Sequence, residues 1–195
     1  MCIRDRLTPE ESVKILRQVC AALEAAHAEG VIHRDLKPQN IMIESSGRVV
    51  VMDFGLARSM EATGLTQAGA MMGTPAYMSP EQAKGLVVDE RSDVFALGII
   101  AYQMLSGELP FKADSALASL LLRTQAPAPP LTQIDPAIPQ PLSDMIQKAL
   151  ATNIEDRYAS VALLNKDLQD WEQGTLHKVI VTPPIDVYKR QPLGP

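Results

Sequence analysis

The sequence predicts an α+β fold that is mainly helical and contains one short β-hairpin. Apolar residues recur at helical spacing in separate segments that begin near residues 9, 92 and 161. Two short apolar, largely β-branched runs, 41–43 and 49–52, flank a turn composition and predict the hairpin. With 195 residues, 46% hydrophobic and 21% charged, the chain is long enough to bury a core of its own.

Charge and cysteine content exclude several classes of protein. A net charge of -5 argues against a nucleic-acid surface, which requires a basic face. The two cysteines, Cys2 and Cys20, make no disulfide framework and lack metal-ligand spacing, which favours a reducing compartment. The longest apolar run, 94–105, is too short to span a bilayer. We therefore expect no membrane segment and no nucleic-acid partner for these residues.

The first helix is predicted from its start signal. Residues 8–11 (TPEE) combine an N-cap threonine, a proline at the first helical position and a glutamate that completes a capping box. Gly30 supplies the stop. The apolar stripe between them consists of Val13, Leu16, Cys20, Leu23 and His27. For His27 we favour a core histidine with a satisfied hydrogen bond over a ligand.

A cluster of charges and the hairpin together predict a site. In VIHRDLKPQN, residues 31–40, four ionisable residues occupy five positions directly after an apolar pair. Pairing of the strands about Ser46 and Gly47 brings Asn40 and Asp53 to the same end of the hairpin. A carboxamide and a carboxylate oxygen suit Mg²⁺ that also holds phosphate oxygens. The alternative is that both residues merely terminate strands, as their types often do.

Three motifs in order carry a family resemblance. HRDLKPQN at 33–40, DFG at 53–55 and SPE at 79–81 resemble the catalytic loop, metal loop and APE motif of eukaryotic-type protein kinases. The sequence of residues 73–82 and 91–111 is most similar to that of the bacterial, Hanks-type serine/threonine kinases. The resemblance covers residues 7–173, which in that family form the helical C-terminal lobe. It implies a protein-kinase-like fold from which the N-terminal lobe is missing.

The resemblance implies roles for the residues of the site. Asp35 would accept the proton of a substrate hydroxyl as it attacks the γ-phosphate of ATP, and Lys37 would place a positive charge near the transferring group and bind the nucleotide. Asn40 and Asp53 would hold Mg²⁺, with Mn²⁺ as another suitable ion. Met42 matches the residue that packs beneath adenine. His33 and Phe54 would be packing residues without a chemical role.

Residues 57–73 are polar and rich in glycine, and by resemblance they form the activation segment. Arg34 would pair with a phosphothreonine on it, for which we predict Thr66. Relatives often carry a second threonine where Ala68 stands, so a doubly phosphorylated switch is not expected. Thr74 resembles the threonine that contacts the catalytic aspartate and lysine. Its neighbours, 75–78, would contact the substrate residue that follows the acceptor.

Other charged residues are expected to support the site. Asp93 resembles the family aspartate that accepts backbone N–H groups of the catalytic loop, and Glu81 with Arg157 resembles a buried ion pair. A final helix carries Val161, Leu164, Leu168 and Trp171 at helical spacing. For the proline-rich stretch 126–141, a loop between two helices is favoured over a polyproline ligand.

Both ends of the chain carry hexapeptides that one nucleotide string encodes in two frames. ATGTGTATAAGAGACAG gives the start of MCIRDR (1–6) and, preceded by G, gives DVYKRQ (186–191). The string resembles an adapter of transposase-based sequencing libraries, so we hypothesise that 1–6 and 186–195 are adapter-derived. Chance resemblance is the alternative, and finding these codons in clean genomic DNA would support it. Residues 174–185 would then begin a linker.

Two functional classes follow from these expectations. One is a serine/threonine kinase that phosphorylates proteins; the other is a kinase-like lobe that binds or scaffolds partners without turnover. The sequence contains no GxGxxG motif to cover phosphates, so we expect a truncated catalytic domain that is inactive alone. By resemblance the kinase domain would be cytoplasmic, within a parent protein that is sometimes membrane-anchored.

Overall fold

The computed structural model describes residues 6–54 and 75–175. In chain order the helices and strands are α1 (Pro9–Ala28), β1 (Ile41–Ile43), β2 (Val49–Val51), α2 (Pro80–Ala83), α3 (Arg91–Ser106), α4 (Ala116–Gln125), α5 (Leu131–Ile134), α6 (Gln140–Ala149) and α7 (Val161–Glu172). Short 3₁₀ turns at Pro38–Asn40, Pro75–Tyr77 and Ile154–Asp156 connect some of them. The mainly helical architecture with one hairpin is as predicted.

The predicted signals at both ends of α1 are confirmed. The Thr8 hydroxyl accepts a hydrogen bond from the Glu11 N–H at 3.2 Å, and the Glu11 carboxylate accepts one from the Thr8 N–H at 3.0 Å. This capping box satisfies N–H groups that a helix start otherwise leaves without partners. After the last turn, Gly30 has φ of 73°, the left-handed conformation that glycine adopts without strain.

The hairpin forms where predicted, but its register differs by one residue. Ile41 pairs with Val51, and the Met52 N–H donates to the Asn40 carbonyl at 2.8 Å. The connection has three residues rather than two, and its last residue, Gly47, has φ of 84°. A three-residue loop that ends in the left-handed conformation is a common hairpin connection. Met52 therefore lies opposite Asn40, where the sequence predicted Asp53, and Asp53 follows one residue later.

Helix α3 runs through the centre of the core. Nearly all its side chains are buried, from Ser92 to Leu105, so its sequence is apolar on every side and not amphipathic. Gly98 allows α6 to approach closely, since a Cβ atom at this position would lie 3.1 Å from the Ala149 Cβ. The left-handed Gly107, with φ of 78°, ends the helix.

Helix α7 closes the fold by packing on α1. Val161, Leu164 and Leu168 are buried, as their spacing predicts, and Trp171 is partly buried against the same core. The Arg17 guanidinium pairs with the Glu172 carboxylate across these two helices. The first and last described helices therefore share one core.

The proline-rich stretch connects α4 to α6, in agreement with the favoured interpretation. It also contains a helix that was not predicted, α5, whose first residue Leu131 is buried. Ala128 and Ile138 are buried on either side of it. This segment therefore packs into the core instead of presenting an extended ligand. No helix within the described ranges is long and apolar enough to cross a membrane.

Candidate active site

The charged cluster of residues 33–40 forms a tight loop between α1 and β1. The Lys37 ammonium lies 2.7 Å from the Asp35 carboxylate, and both side chains remain partly exposed. The Asn40 side-chain NH₂ donates to the Asp35 carbonyl at 2.9 Å, which closes the loop across five residues. A carboxylate and an ammonium group are thus held together at the protein surface, where a substrate can reach them.

Asn40 and Asp53 lie at the same end of the hairpin in spite of the register difference. Asn40 is 5% exposed and Asp53 is exposed. Because the NH₂ group of Asn40 is engaged by the loop, its amide oxygen is the atom that can coordinate a cation. Residues 6–54 and 75–175 contain no group of three His, Cys, Asp or Glu side chains that could hold a metal ion. The two oxygen ligands instead fit Mg²⁺ that completes its shell with water and phosphate.

Both loops of the site contain a residue in the left-handed backbone region. Arg34 has φ of 64° and Asp53 has φ of 56°, and no other non-glycine residue of the described ranges has a positive φ. Such conformations cost on the order of 1 to 3 kcal/mol and persist only where the surroundings enforce them. The site is therefore held under local strain.

Asp93, at the start of α3, supplies the restraint on the first of these loops. It is 1% exposed, and its two carboxylate oxygens accept hydrogen bonds from the His33 N–H at 2.8 Å and the Arg34 N–H at 2.9 Å. One oxygen also lies 2.8 Å from His27 Nε2. His27 therefore has a hydrogen-bonding partner in the core, as favoured from the sequence. A buried carboxylate with several such partners fixes the strained Arg34 backbone.

His33 and Phe54 connect the two loops by packing. His33 is fully buried, and its ring centroid lies 4.9 Å from that of Phe54. Its Nε2 atom lies 3.0 Å from the Met52 carbonyl oxygen. Its Nδ1 atom accepts a hydrogen bond from the Asp35 N–H at 3.3 Å, so the histidine connects the charged loop to the end of β2.

Glu81 and Arg157 form a buried, bidentate ion pair. The two contacts are 2.7 and 2.8 Å long, and Ser92 donates a further hydrogen bond to the same carboxylate. Burial alone raises the pKa of Glu81, but the hydrogen bonds from Arg157 and Ser92 outweigh it and lower the pKa to about 2. The pair ties α2 to the segment that precedes α7.

Met42 is a further predicted site residue that lies within the described ranges. Met42 is 44% exposed on β1, next to the buried Ile41, so it presents an apolar surface beside Asn40. Thr66, Thr74 and Gly55 lie outside the described residues, as do 1–5 and 186–195.

Sequence reasoning missed two residues that connect the site to its surroundings. The Gln82 side chain donates to the Arg34 carbonyl at 2.7 Å, in addition to closing a capping box with Ser79 at the start of α2. Arg123 of α4 donates to the carbonyls of Pro75 and Met78. The available signal was weak: a glutamine three residues after a capping serine, and one arginine in an otherwise uncharged helix.

Comparison with known proteins finds a matching family model and similar proteins. Residues 2–168 match the family model described as the protein kinase domain. Serine/threonine-protein kinase Pkn1 of Myxococcus xanthus is 48% identical over 162 residues, which cover 80% of this chain and 23% of that protein. Serine/threonine-protein kinase PknB of Mycolicibacterium smegmatis is 43% identical over 171 residues, or 86% of this chain and 27% of that protein.

A third relative is serine/threonine-protein kinase PknL of Mycobacterium tuberculosis, 39% identical over 166 residues that cover 85% of this chain and 42% of the relative. The chain therefore spans about a quarter of the length of the first two relatives and less than half of the third.

Proposed function

The chain belongs to the bacterial serine/threonine family of protein kinases, and we propose that residues 7–173 form the C-terminal lobe of an enzyme that phosphorylates serine or threonine in proteins. One observation carries the proposal. Asp35, Lys37 and Asn40 are joined in one loop, and Asp53 lies at the same end of the hairpin. A general base, a positive charge and two oxygen ligands are thus brought together beside one surface.

In the proposed reaction, Asp35 orients the acceptor hydroxyl and takes its proton as the oxygen attacks the γ-phosphate of ATP. Its 2.7 Å contact with Lys37 fixes the carboxylate and keeps the ammonium group beside the transferring phosphate. The new bond joins the hydroxyl oxygen to phosphorus, and ADP leaves. Because the transition state is loose, positioning by these two residues contributes more than the basicity of the carboxylate.

Asn40 and Asp53 would hold Mg²⁺, or Mn²⁺, through the amide oxygen and the carboxylate. When bound, the cation neutralises charge on the phosphates. Met42 would contact the adenine ring through its exposed apolar side chain. The nucleotide also requires a loop over its phosphates, and the printed sequence has no motif for one. We therefore propose that the chain transfers phosphate only when joined to such an element.

Arg34 is proposed to recognise a phosphate group on the activation segment, with Thr66 as the modified residue. Its Nε atom is buried and makes no hydrogen bond to residues 6–54 or 75–175, which is costly unless an acceptor is supplied. A phosphothreonine would supply charged acceptor oxygens. Thr74, directly after residues 57–73, is proposed to contact Asp35 and Lys37.

Asp93, the Glu81 and Arg157 pair, and the packed rings of His33 and Phe54 are proposed to act as positioning residues. None of them carries the chemistry. Asp93 joins the first loop of the site to α3, and the rings of His33 and Phe54 pack the two loops together. The Glu81 and Arg157 pair ties α2 to the segment that precedes α7.

The test is phosphate transfer by the parent protein, expressed from the full reading frame that contains these residues. With radiolabelled ATP and a serine-containing protein acceptor, Asp35→Asn should lower the rate by at least about 100-fold. Asp114→Asn, at an exposed position outside the site, is the matched control and should leave the rate unchanged. Transfer that persists in Asp35→Asn, or is absent from the wild type, would favour the scaffold alternative.

A further inference from the structure

Arg123 is a buried arginine of α4 for which the mechanism above has no use. It is 1% exposed, and no carboxylate of residues 6–54 and 75–175 lies within ion-pair distance of it. Burial lowers the pKa of Arg123 to about 10, so the guanidinium remains charged at neutral pH. Arginine is rarely buried to this extent without a partner. The positive charge therefore must be stabilised by other acceptors.

Those acceptors are backbone carbonyl groups of one segment. Arg123 Nη1 donates to the Pro75 carbonyl at 2.8 Å and to the Met78 carbonyl at 2.7 Å. Nε donates to the Ser119 carbonyl at 3.3 Å within α4, and the guanidinium lies 5.8 Å from the ring centre of Phe111. One nitrogen atom thus binds the first residue of the 3₁₀ turn Pro75–Tyr77 and the residue that follows the turn. Hydrogen bonds with a charged donor are the stronger kind.

The same segment, residues 75–78, is also tied to the core, and α2 directly after it is tied to the catalytic loop. The Tyr77 hydroxyl donates to the Gln103 side chain of α3 at 2.7 Å. Shortly after the segment, Gln82 donates to the Arg34 carbonyl, one residue before Asp35. The position of this segment relative to Asp35 thus depends on a few hydrogen bonds. Arg123 supplies the two that join the segment to α4.

We propose that Arg123 is a positioning residue that fixes the conformation of residues 75–78 and thereby the affinity for the protein substrate. The inference rests on the proposed function, in which this segment contacts the residue that follows the acceptor. In the proposed function ATP binds at the hairpin end of the site, and the hydrogen bonds of Arg123 within the described residues go to Ser119, Pro75 and Met78 instead. Loss of the two hydrogen bonds should therefore affect the protein substrate selectively.

The first experiment needs no catalytic activity. Hydrogen exchange followed by mass spectrometry on this chain compares Arg123→Met with the wild type. Backbone amides of residues 76–78 should exchange at least about fivefold faster in the variant, because the carbonyls that hold the turn lose their donor. Arg48→Met, at an exposed position directly after the hairpin turn, is the control and should leave these amides unchanged. Unchanged exchange in Arg123→Met would overturn the inference.

The second experiment measures the kinetics of the parent protein. Arg123→Met should raise KM for a serine-containing peptide about tenfold and leave KM for ATP and kcat within about twofold. Arg123→Lys, which keeps the charge but not the planar group, should recover part of the peptide affinity. Equal effects on both substrates, or none, would contradict the proposal.

The two proposals fail separately. A wild-type parent protein without transfer activity would contradict the proposed function, while the exchange experiment would still test the contacts of Arg123. If Arg123→Met does not fold, Arg123→Lys replaces it in both experiments. A wild-type KM for the peptide together with unchanged amide exchange would overturn the inference. An intermediate rise in the KM and in the exchange rate would support it.

Discussion

Single buried side chains hold the strained loop of the site in place. The Arg34 backbone adopts a conformation that is unfavourable for an arginine. Hydrogen bonds from the His33 and Arg34 N–H groups to the Asp93 carboxylate offset that cost. The Gln82 side chain restrains the carbonyl of the same residue. The direction of Asp35, one position further, is thus determined by residues that never contact a substrate.

Glu81 should make the stability of the fold depend on pH. Its pKa is about 2 in the folded protein, below the ordinary value of 4.5, so the ion pair contributes fully above pH 4.5 and loses its contribution as the pH falls toward 2. Glu81→Gln removes that dependence. The difference in free energy of unfolding between wild type and variant should shrink by about 2 kcal/mol between about pH 5 and about pH 2.5.

Urea unfolding at a series of pH values measures this difference. Glu24→Gln, at an exposed position on α1, serves as the control, and its difference from the wild type should stay constant over the same range. A constant difference for Glu81→Gln as well would show that the Arg157 pair does not depress the pKa of this carboxyl.

The supporting residues that could be predicted from the sequence are those that belong to a family motif. Asp93 and the Glu81 and Arg157 pair were expected only through resemblance to a family, and the structure gives them the expected contacts. Arg123 belongs to no motif and Gln82 only to a local capping box, and the carbonyls by which they reach the segment 75–78 and Arg34 are more than 40 residues away in the chain. Contacts between a side chain and a distant backbone group leave no pattern in composition or periodicity.

At the scale of elements, the ends of α1 could be predicted from local sequence signals, whereas the register of the hairpin could not. The capping box that begins α1 and the glycine that follows it involve neighbouring residues, so the sequence contains the whole interaction. The hairpin register depends on whether the turn has two or three residues, and the same ESSG composition permits both. The four-residue helix α5 has too few turns to show a periodic pattern.

The close contact between α3 and α6 gives a prediction for Gly98. Gly98→Ala improves helix propensity by up to about 1 kcal/mol, but the added Cβ would lie 3.1 Å from the Ala149 Cβ and from two Leu150 side-chain atoms. Because Ala149 is short and fixed to the helix backbone, it cannot move aside. We expect a net loss of about 1 kcal/mol in the free energy of unfolding, measured by chemical denaturation.

A second substitution separates packing from backbone effects. Ala149→Gly removes one of the crowded atoms, so the double variant Gly98→Ala, Ala149→Gly should be more stable than the sum of the two single changes predicts. Additive effects, or a Gly98→Ala variant more stable than the wild type, would mean that α6 shifts to accept the methyl group.

At the scale of the whole molecule, the site depends on a core built from both ends of the described chain. Helix α1 packs against α3 and α7, and the loops of the site are suspended between α1, the hairpin and the start of α3. Buried leucines and valines of these helices exclude water from the region beneath the charged cluster. The loops therefore keep their geometry only while the complete core is folded.

Cys20 reports on that core directly. It lies on the buried face of α1 with no exposed surface, and burial raises the pKa of its thiol to about 12. Since the thiolate is the reactive form, a thiol reagent at neutral pH should reach Cys20 only through opening of the core. In a Cys2→Ser background, labelling should be on the order of 1000-fold slower than for a thiol on the surface of the same helix.

Cys20→Ser combined with Ala21→Cys gives that reference thiol, one residue along on the exposed side of α1. Increasing urea should accelerate labelling of Cys20 in proportion to the unfolded population and leave the reference nearly unchanged, because only Cys20 needs the helices to separate. Removal of α7 by truncation after Ala159 should abolish the protection, since Val161, Leu164 and Leu168 then no longer cover α1. Fast labelling of Cys20 in the intact chain without denaturant would contradict a core shared by α1 and α7, and with it the rigid support that the site requires.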